Sequence, residues 1–570
     1  MLTRSVDTAR LYVQTMGYLR GDQLLQMAYR RLFRRSSPAH RALDRPRVRE
    51  SVSADFPLAH DTKLLDRLSF VGRDTWPNGS FDWQTSDMWQ PLRYQLHYFD
   101  YLNDPHRSQE WKRAIVSDWI EKNPPDKGDG WIAYAVSLRI VNWIKFLTRM
   151  VPADIDELWL GALYGQVLWL ESNLELHILA NHYLKNTKAL LFAGLFFVGA
   201  DAERWQKRGL EIFLAQCKEQ FLADGGHYER SPMYHAIAVE DVLDVYVYVS
   251  AAGYPQAAST LEALRAHALA GLDFMTAILM PDGTLPLFND TAEGTGPSPV
   301  ELYAYAKATL GYEPVGATRG LSVRALEASG YYVIRDAASM LVIDCGAPGP
   351  EYQPGHGHCD CLSYELALDG ERVVVDAGVL DYENNAARRY ARGTAAHNTV
   401  QIDAVEQSEM WDVFRVARRA CPIGPSLSLA GPGIAAFAGA HDGFQRSAAK
   451  AVHRRAVRYE HDEWMFEDSI DGAGDHLIES RVHLHPGLVA HLTAGVVSIE
   501  TQIGRHLADL RPSFNVECRL EFAAHFPRFG NAQEGRVVVM SLEGKLPATL
   551  SYVIAPPAAA PAALSSATPA

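Results

Sequence analysis

Cysteine is scarce in this 570-residue chain: Cys217, Cys345, Cys359, Cys361, Cys421 and Cys518 are too few to staple it. That excludes a disulfide scaffold and fits a reducing interior, without excluding the periplasm. Positive charge is in deficit, with 54 Lys and Arg against 68 Asp and Glu and a formal net charge of -14. No chain-wide field draws nucleic acid, so none is expected as a partner, and an anionic ligand must be met by a local basic cleft. No stretch stays apolar for the roughly 18 residues that a membrane helix needs, so no membrane span is expected. Met1 to Asp7 lack the apolar run and small-residue cleavage site of a secretory signal.

What is present is ordinary for a folded protein, 48% apolar and 21% charged, which excludes a mostly disordered chain. The length predicts two domains of a few hundred residues each. Arginine is dense from Arg30 to Arg49, where Arg30, Arg31, Arg34 and Arg35 flank Leu32 and Phe33. A solvated helix face is the expectation there, with a membrane-surface or partner contact as the alternative.

From about Trp89 to Leu310 apolar residues recur at three and four positions, which predicts helices over 111–120, 135–151, 158–179, 183–198, 202–221, 236–252 and 259–279. Pro124-Pro125, Asp224-Gly225-Gly226 and Pro281-Asp282-Gly283 punctuate them. After Ser329-Gly330 the pattern changes to short alternating strands over 331–335, 339–345, 362–368, 372–376, 399–402, 452–459 and onward to 554. The fold class expected is multidomain, α then β. It divides into a basic arm (1–50), a helical domain (51–318), an antiparallel β-sandwich (319–555) and a disordered Ala/Pro/Ser-rich tail (556–570).

Four short segments hold polar residues that a fold alone does not ask for. In the first a helix begins near Asn181-His182, where Asn181 also reads as an N-cap. In the second, Asp224 to His235, Tyr234 stands among His235, Ser231 and Pro232, away from the aliphatic neighbours a core aromatic usually has. The third, Gly355-His356-Gly357-His358-Cys359-Asp360, spaces two imidazoles for metal binding or proton transfer, and Asp376 and the fourth segment, Thr394 to Asn398 with His397, follow it. Cys359 and Cys361 are read as packing residues. His-x-His-x-Asp also occurs in metallo-β-lactamase-like hydrolases, but those place a further His directly after the Asp and run into a helix. Here Cys361 follows Asp360 and a hairpin turning at Asp369-Gly370 comes next, which sets that reading aside.

Taken together, the segments resemble the heparinase II/III family of polysaccharide lyases. The matching stretches are Trp89 to Leu102, Gly130 to Trp143 with Ser137, Arg139 and Asn142, Asn181-His182, Ser231 to His235, the His356/His358 loop and Tyr390 to Val400. The resemblance implies an (α/α) toroid, an incomplete barrel, followed by an antiparallel β-sandwich, with catalysis where they meet. It implies β-elimination at a uronic acid: the C5 proton is removed, the 4-linked oxygen leaves and an unsaturated sugar results. Asn181 matches the position that offsets the substrate carboxylate, with His182 in support. Tyr234 and His356 match base and acid, in an order that depends on whether the sugar is glucuronic or iduronic. A tyrosine base needs nearby positive charge, from His356 or Arg392.

His358, Asp376 and His397 match a metal site, usually structural zinc. Arg139, Tyr390 and Arg392 are candidate substrate contacts, because a planar guanidinium suits carboxylate or sulfate. Asn289 and Asp290 lie in a loop expected along the same groove. The expected partner is an acidic polysaccharide, a glycosaminoglycan or a bacterial exopolysaccharide, met in the cytoplasm or periplasm of a bacterium. The rival readings are an alginate-type lyase of the same architecture and a non-catalytic glycan-binding or assembly protein of an exopolysaccharide pathway.

Overall fold

The computed structural model describes residues 2–32, 46–49, 56, 83–84, 90–253, 257–316 and 320–557. The expected boundary at 318/319, the centre of the arginine run (33–45), Trp89 and the expected disordered tail from 558 onward lie outside the described residues. Two helices, α1 (Leu2–Met16) and α2 (Gly21–Leu32), come first. The helical domain contains α3 (Gln90–Leu96), α4 (Gln109–Lys122), α5 (Ala133–Leu147), α6 (Glu157–Ser172), α7 (Ala180–Phe196), α8 (Ala200–Gln220), α9 (Pro232–Ala251), α10 (Ala257–Ile278) and α11 (Pro299–Leu310).

Side-chain caps start several of these helices. Ser108 accepts from Trp111 N, Asp156 from Leu158 N, and Ser298 forms a capping box with Glu301. Ser231 caps α9 ahead of Pro232, so the helix starts four residues before the expected 236 and carries Tyr234 in its first turn. The helix expected over 158–179 ends at Ser172 instead. Leu174 and Leu179 stay buried beyond it, so the apolar pattern runs on through a loop that is itself packed.

Helix α7 is the axis of this domain, for every one of its side chains but His182 is buried. A Cβ on Gly194 would sit 2.2 Å from Gln206 N, and one on Gly209 2.6 Å from Leu191 N, which is how closely α7 and α8 cross. Where α7 faces α9, Lys185 and Lys188 each lie 2.7 Å from Asp241, and Lys188 and Lys145 close on Asp244 at 2.5 and 2.6 Å. These buried charges are paired, the condition for tolerating them.

The second domain is two antiparallel sheets. The first contains β1 (Ser322–Leu326), β2 (Tyr331–Arg335), β3 (Ser339–Asp344), β4 (Tyr364–Leu368), β5 (Glu371–Val374) and β6 (Val400–Ile402). A small ribbon, β7 (Met410–Trp411) with β8 (Arg415–Val416), stands apart from both sheets. The later strands are β9 (Pro422–Gly431), β10 (Ile434–His441), β11 (Val452–Glu460), β12 (Glu463–Asp471), β13 (Asp475–Leu484), β14 (Leu488–Thr493), β15 (Val496–Thr501), β16 (His506–Pro512), β17 (Glu517–Arg528), β18 (Asn531–Lys545) and β19 (Ala548–Ala555).

Strands β13, β18 and β17 extend the first sheet, and the second runs β14-β15-β16-β19-β12-β11-β10-β9. Burial alternates residue by residue along β11 and β12, as a strand with one face in the core requires. Tyr364, Phe466 and Tyr552 stack across the core at 4.5 and 4.8 Å. Asp369 (φ 51) and Gly370 (φ 80) form the expected tight turn between β4 and β5. Helix α12 (Ala386–Arg392), capped by Asn385, was not foreseen.

Candidate active site

The four sequence segments meet where the helical domain touches the sandwich. Leu179 and Ala180 adopt left-handed backbone (φ 65 and 52), which places Asn181 inside the first turn of α7 and not at its cap. Asn181 N donates to Glu229 at 3.0 Å and Nδ2 to both Glu229 oxygens at 3.0 and 2.9 Å. Its Oδ1 is buried with no partner among the described residues. Arg230 (φ 57) and Asn289 (φ 55) hold the same left-handed backbone in the two neighbouring loops. Such positions cost energy and cluster at binding sites.

His182, the open side chain of α7, donates through Nδ1 to Glu175 Oε1 at 3.1 Å and lies 4.5 Å from the Tyr134 ring. Tyr134 meets Tyr98 at 5.9 Å. Opposite, the Tyr234 ring stacks on His356 with centroids 3.9 Å apart and planes at 28°, and its hydroxyl is 3.3 Å from that of Tyr382. Phe414 closes this side, 5.9 Å from His356 and 5.1 Å from Tyr382. The walls are aromatic, a surface suited to the flat faces of sugar rings.

The histidine loop is fixed from behind. Asp290 Oδ2 accepts from His356 Nδ1 at 2.8 Å and its Oδ1 from His358 Nε2 at 2.8 Å, while Arg388 clamps both oxygens. His358 N donates to Asn289 Oδ1 and Asp290 N to His356 O, each at 3.0 Å. A Cβ on Gly357 would lie 2.1 Å from Pro348 O, so only glycine fits between the two histidines. With Nδ1 donating to Asp290, the remaining nitrogen of His356, Nε2, lies 3.7 Å from Glu229 Oε2.

Electrostatics set the resting protonation. Burial pushes the Tyr234 phenol well above its ordinary value, and Tyr382 and Tyr134 add to this. Burial works to raise Asp290, but the Arg388 charge holds it well below the carboxylate range. Glu229 is likewise burdened by burial and yet held low by His356 and His227. Burial opposes charge on His182, and Glu175 outweighs it and raises the imidazole.

Behind His356, the ligand-type atoms of His358, Asp360 and His397 all lie within 4.8 Å of one another. Burial pushes His358 down to about 4, which keeps it neutral. Its Nδ1 and His397 Nε2 are buried without hydrogen-bond partners among the described residues, two ring nitrogens that fit a cation when both rings are neutral. Asp376 occupies a different place from the one expected: its Oδ2 accepts from His397 Nδ1 at 2.8 Å, orienting that imidazole from behind, and Asp360 takes the third corner.

Two expected substrate contacts are corrected. Arg139 is fully buried, donating to Gln166 Oε1 (2.7 Å), His97 O (3.1 Å) and Gly130 O (2.8 Å) with its guanidinium 3.9 Å from the Trp119 ring. Arg392 is buried too, holding the carbonyls of Asp412 and Val413. Both tie loops together and neither faces the cleft. Tyr390 is half-buried, with its hydroxyl 3.5 Å from Ala524 O. Of the two groups expected beside Tyr234, His356 stacks on its ring and Arg392 is turned to the loops, while Arg388 lies 4.9 Å above the neighbouring Tyr382 ring. Cys359 and Cys361 are buried, as packing residues are.

Sequence reasoning missed Glu229, Glu175, Tyr382 and Arg388. Glu229 sat inside the polar run around Tyr234, a signal that was there to use. Tyr382 and Arg388 carried none, because the short helix that contains Arg388 and follows Tyr382 was itself unforeseen.

The fold and this junction define a class: proteins in which a helical toroid and an antiparallel sandwich close on an aromatic cleft. Residues 42–308 match the model of the heparinase II/III N-terminus and residues 318–553 that of the heparinase II/III-like C-terminal domain. The chain belongs to the heparinase II/III-like family. It is 26% identical over 379 residues to a heparin-sulfate lyase of Pedobacter heparinus, covering 57% of this chain and 55% of that protein. A heparin-sulfate lyase of Bacteroides thetaiotaomicron is 24% identical over 381 residues, covering 57% and 54%. The chain thus aligns with about half the length of these curated relatives. Among solved structures, heparinase III superposes with a TM-score of 0.67 at 19% identity, over 94% of this chain and 89% of that one. A chondroitin AC lyase of Streptomyces coelicolor gives 0.53 at 10% identity, over 88% and 81%.

Proposed function

We propose that this protein is a polysaccharide lyase that cleaves a uronic-acid-containing acidic polysaccharide by β-elimination. The observation that carries the reading is the Tyr234–His356 stack, in which His356 Nε2 lies 3.7 Å from the Glu229 carboxylate that holds Asn181. Elimination needs a base for the C5 proton, an acid for the leaving oxygen, and a group that relieves the carboxylate charge. In its neutral form His356, with Nδ1 held by Asp290, offers the Nε2 lone pair to the C5 proton. Tyr234, held protonated by burial, supplies the acid. The electrons of the C5–H bond form the C4=C5 double bond, the C4–O4 bond breaks, and O4 takes the phenol proton. Asn181 is the group beside the carboxylate, with His182 in support.

The substrate is read as an acidic polysaccharide recognised through its uronate and its ring faces. Arg139, Arg388 and Arg392 are all buried and internally bound, so none of the three is offered to a sulfate. His358, Asp360 and His397 are the residues that would hold zinc, which supplies charge to fix the loop behind His356. The test is a panel of uronic-acid glycans assayed for the ultraviolet absorbance of unsaturated uronate, with Tyr234→Phe as the control.

A further inference from the structure

The first two helices are turned inside out. On α2, Gln23, Gln26 and Arg30 face the body: Gln23 is buried and caps Arg20 N, and Arg30 meets His177. Leu25, Ala28 and Leu32, at i, i+3 and i+7, face outward on one stripe, with Leu25 72% and Leu32 75% exposed. Helix α1 repeats the pattern. Arg10 pairs with Glu409 and Thr15 with Trp411, while Val13 and Met16 are 70% and 50% exposed. Of the twenty-two exposed large apolar side chains among the described residues, eight lie in these two helices and their connection. Solvent alone does not select outward leucines and inward glutamines.

The charge of the segment says what the stripe meets. Residues 30–49 contain eight arginines and one acid, Asp44, in a chain whose net charge is -14. An apolar helix stripe beside a dense basic run fits a surface that is apolar within and anionic outside. We infer that α1 and α2 form a docking surface for the face of an anionic lipid bilayer, with basic charge supplied by the arginine-rich sequence that follows Leu32. Arg20, paired with Glu219 of α8 and with its guanidinium 3.7 Å above the Tyr352 ring, fixes the arm to both domains, and Tyr12 against Trp411 at 4.6 Å fixes it to the β7–β8 ribbon. That ribbon's turn carries Phe414 of the cleft. The inference is independent of the reaction assigned to the cleft.

The test is sedimentation of the full chain with vesicles of phosphatidylcholine alone or with phosphatidylglycerol added. The protein is expected to sediment with the anionic vesicles and not the neutral ones, and to be released as salt rises. Leu25→Glu with Leu32→Glu should weaken binding roughly tenfold or more with the melting temperature unchanged. Arg31→Glu with Arg34→Glu, which leaves the leucines in place, should weaken it too. Failure to bind anionic vesicles, or binding retained by both variants, overturns the inference. So does a dimer in analytical ultracentrifugation that the leucine variant dissociates while vesicles sediment nothing, since the stripe then belongs to a second copy.

Discussion

His356 and His358, two residues apart, bind the two oxygens of one carboxylate: Asp290 accepts from His356 Nδ1 and from His358 Nε2, each at 2.8 Å. One residue therefore sets both tautomers and leaves each ring a lone pair aimed at a different place, His356 toward the cleft and His358 toward His397. Asp290→Asn keeps the shape and loses one acceptor. Catalysis should fall by about 10- to 100-fold, as when groups behind active or metal-binding imidazoles are removed, measured as kcat on the best glycan of the panel. An unchanged kcat would mean that Asp290 positions neither ring.

The metal reading is tested by elemental analysis of purified protein. Zinc is expected near one equivalent per chain, with chelation or His397→Ala lowering the melting temperature. Absence of zinc together with an unaltered melting temperature in His397→Ala rejects it.

Arg139→Ala separates a core arginine from a substrate contact. Removing it strands the carbonyls of His97 and Gly130 and the Gln166 side chain in the interior, at a cost of about 3–5 kcal/mol. Denaturant unfolding should show this loss. A stable variant with only a raised KM would restore the substrate role.

His235 predicts an acid weakness. Its Nδ1 accepts from His227 N at 3.2 Å and its Nε2 donates to Gly271 O at 2.9 Å, so the neutral ring is fully satisfied. Burial pushes its pKa down to about 3, against about 6.5 in the unfolded chain. Between these values the unfolded state binds a proton that the folded state does not. This group's contribution is therefore full above about pH 6.5 and is lost as pH falls, by about 1.4 kcal/mol per unit. Thermal unfolding from pH 7 to 5 should show a steeper decline in wild type than in His235→Asn, and equal slopes would contradict this.

Much of this was legible in the sequence, for identifiable reasons. The helices were readable because their apolar period is strong, and β2 fell on its expected 331–335 because alternating residues and glycine turns bound it. The end of α6 was not, since residues 173–179 are a buried to half-buried loop that keeps an apolar pattern without a helix. Asn181, Tyr234, His356, His358 and His397 stood out as polar groups without a local purpose. Arg139 and Arg392 looked the same and proved to be loop ties, because a sequence does not say which way a guanidinium points. Asp376 was read as a ligand beside His397; it lies behind that ring, hydrogen-bonded to Nδ1, while Asp360 lies within 4.8 Å of both imidazoles, a distinction that only the fold makes.

The most direct test of the account is the rise in ultraviolet absorbance when wild type and Tyr234→Phe act on uronic-acid glycans. Removing the phenol proton should lower the rate by about 10²- to 10⁴-fold with the melting temperature kept, because the hydroxyl's partner among the described residues is the Tyr382 hydroxyl. Absorbance rising equally for both proteins, or for neither on any glycan, would contradict it.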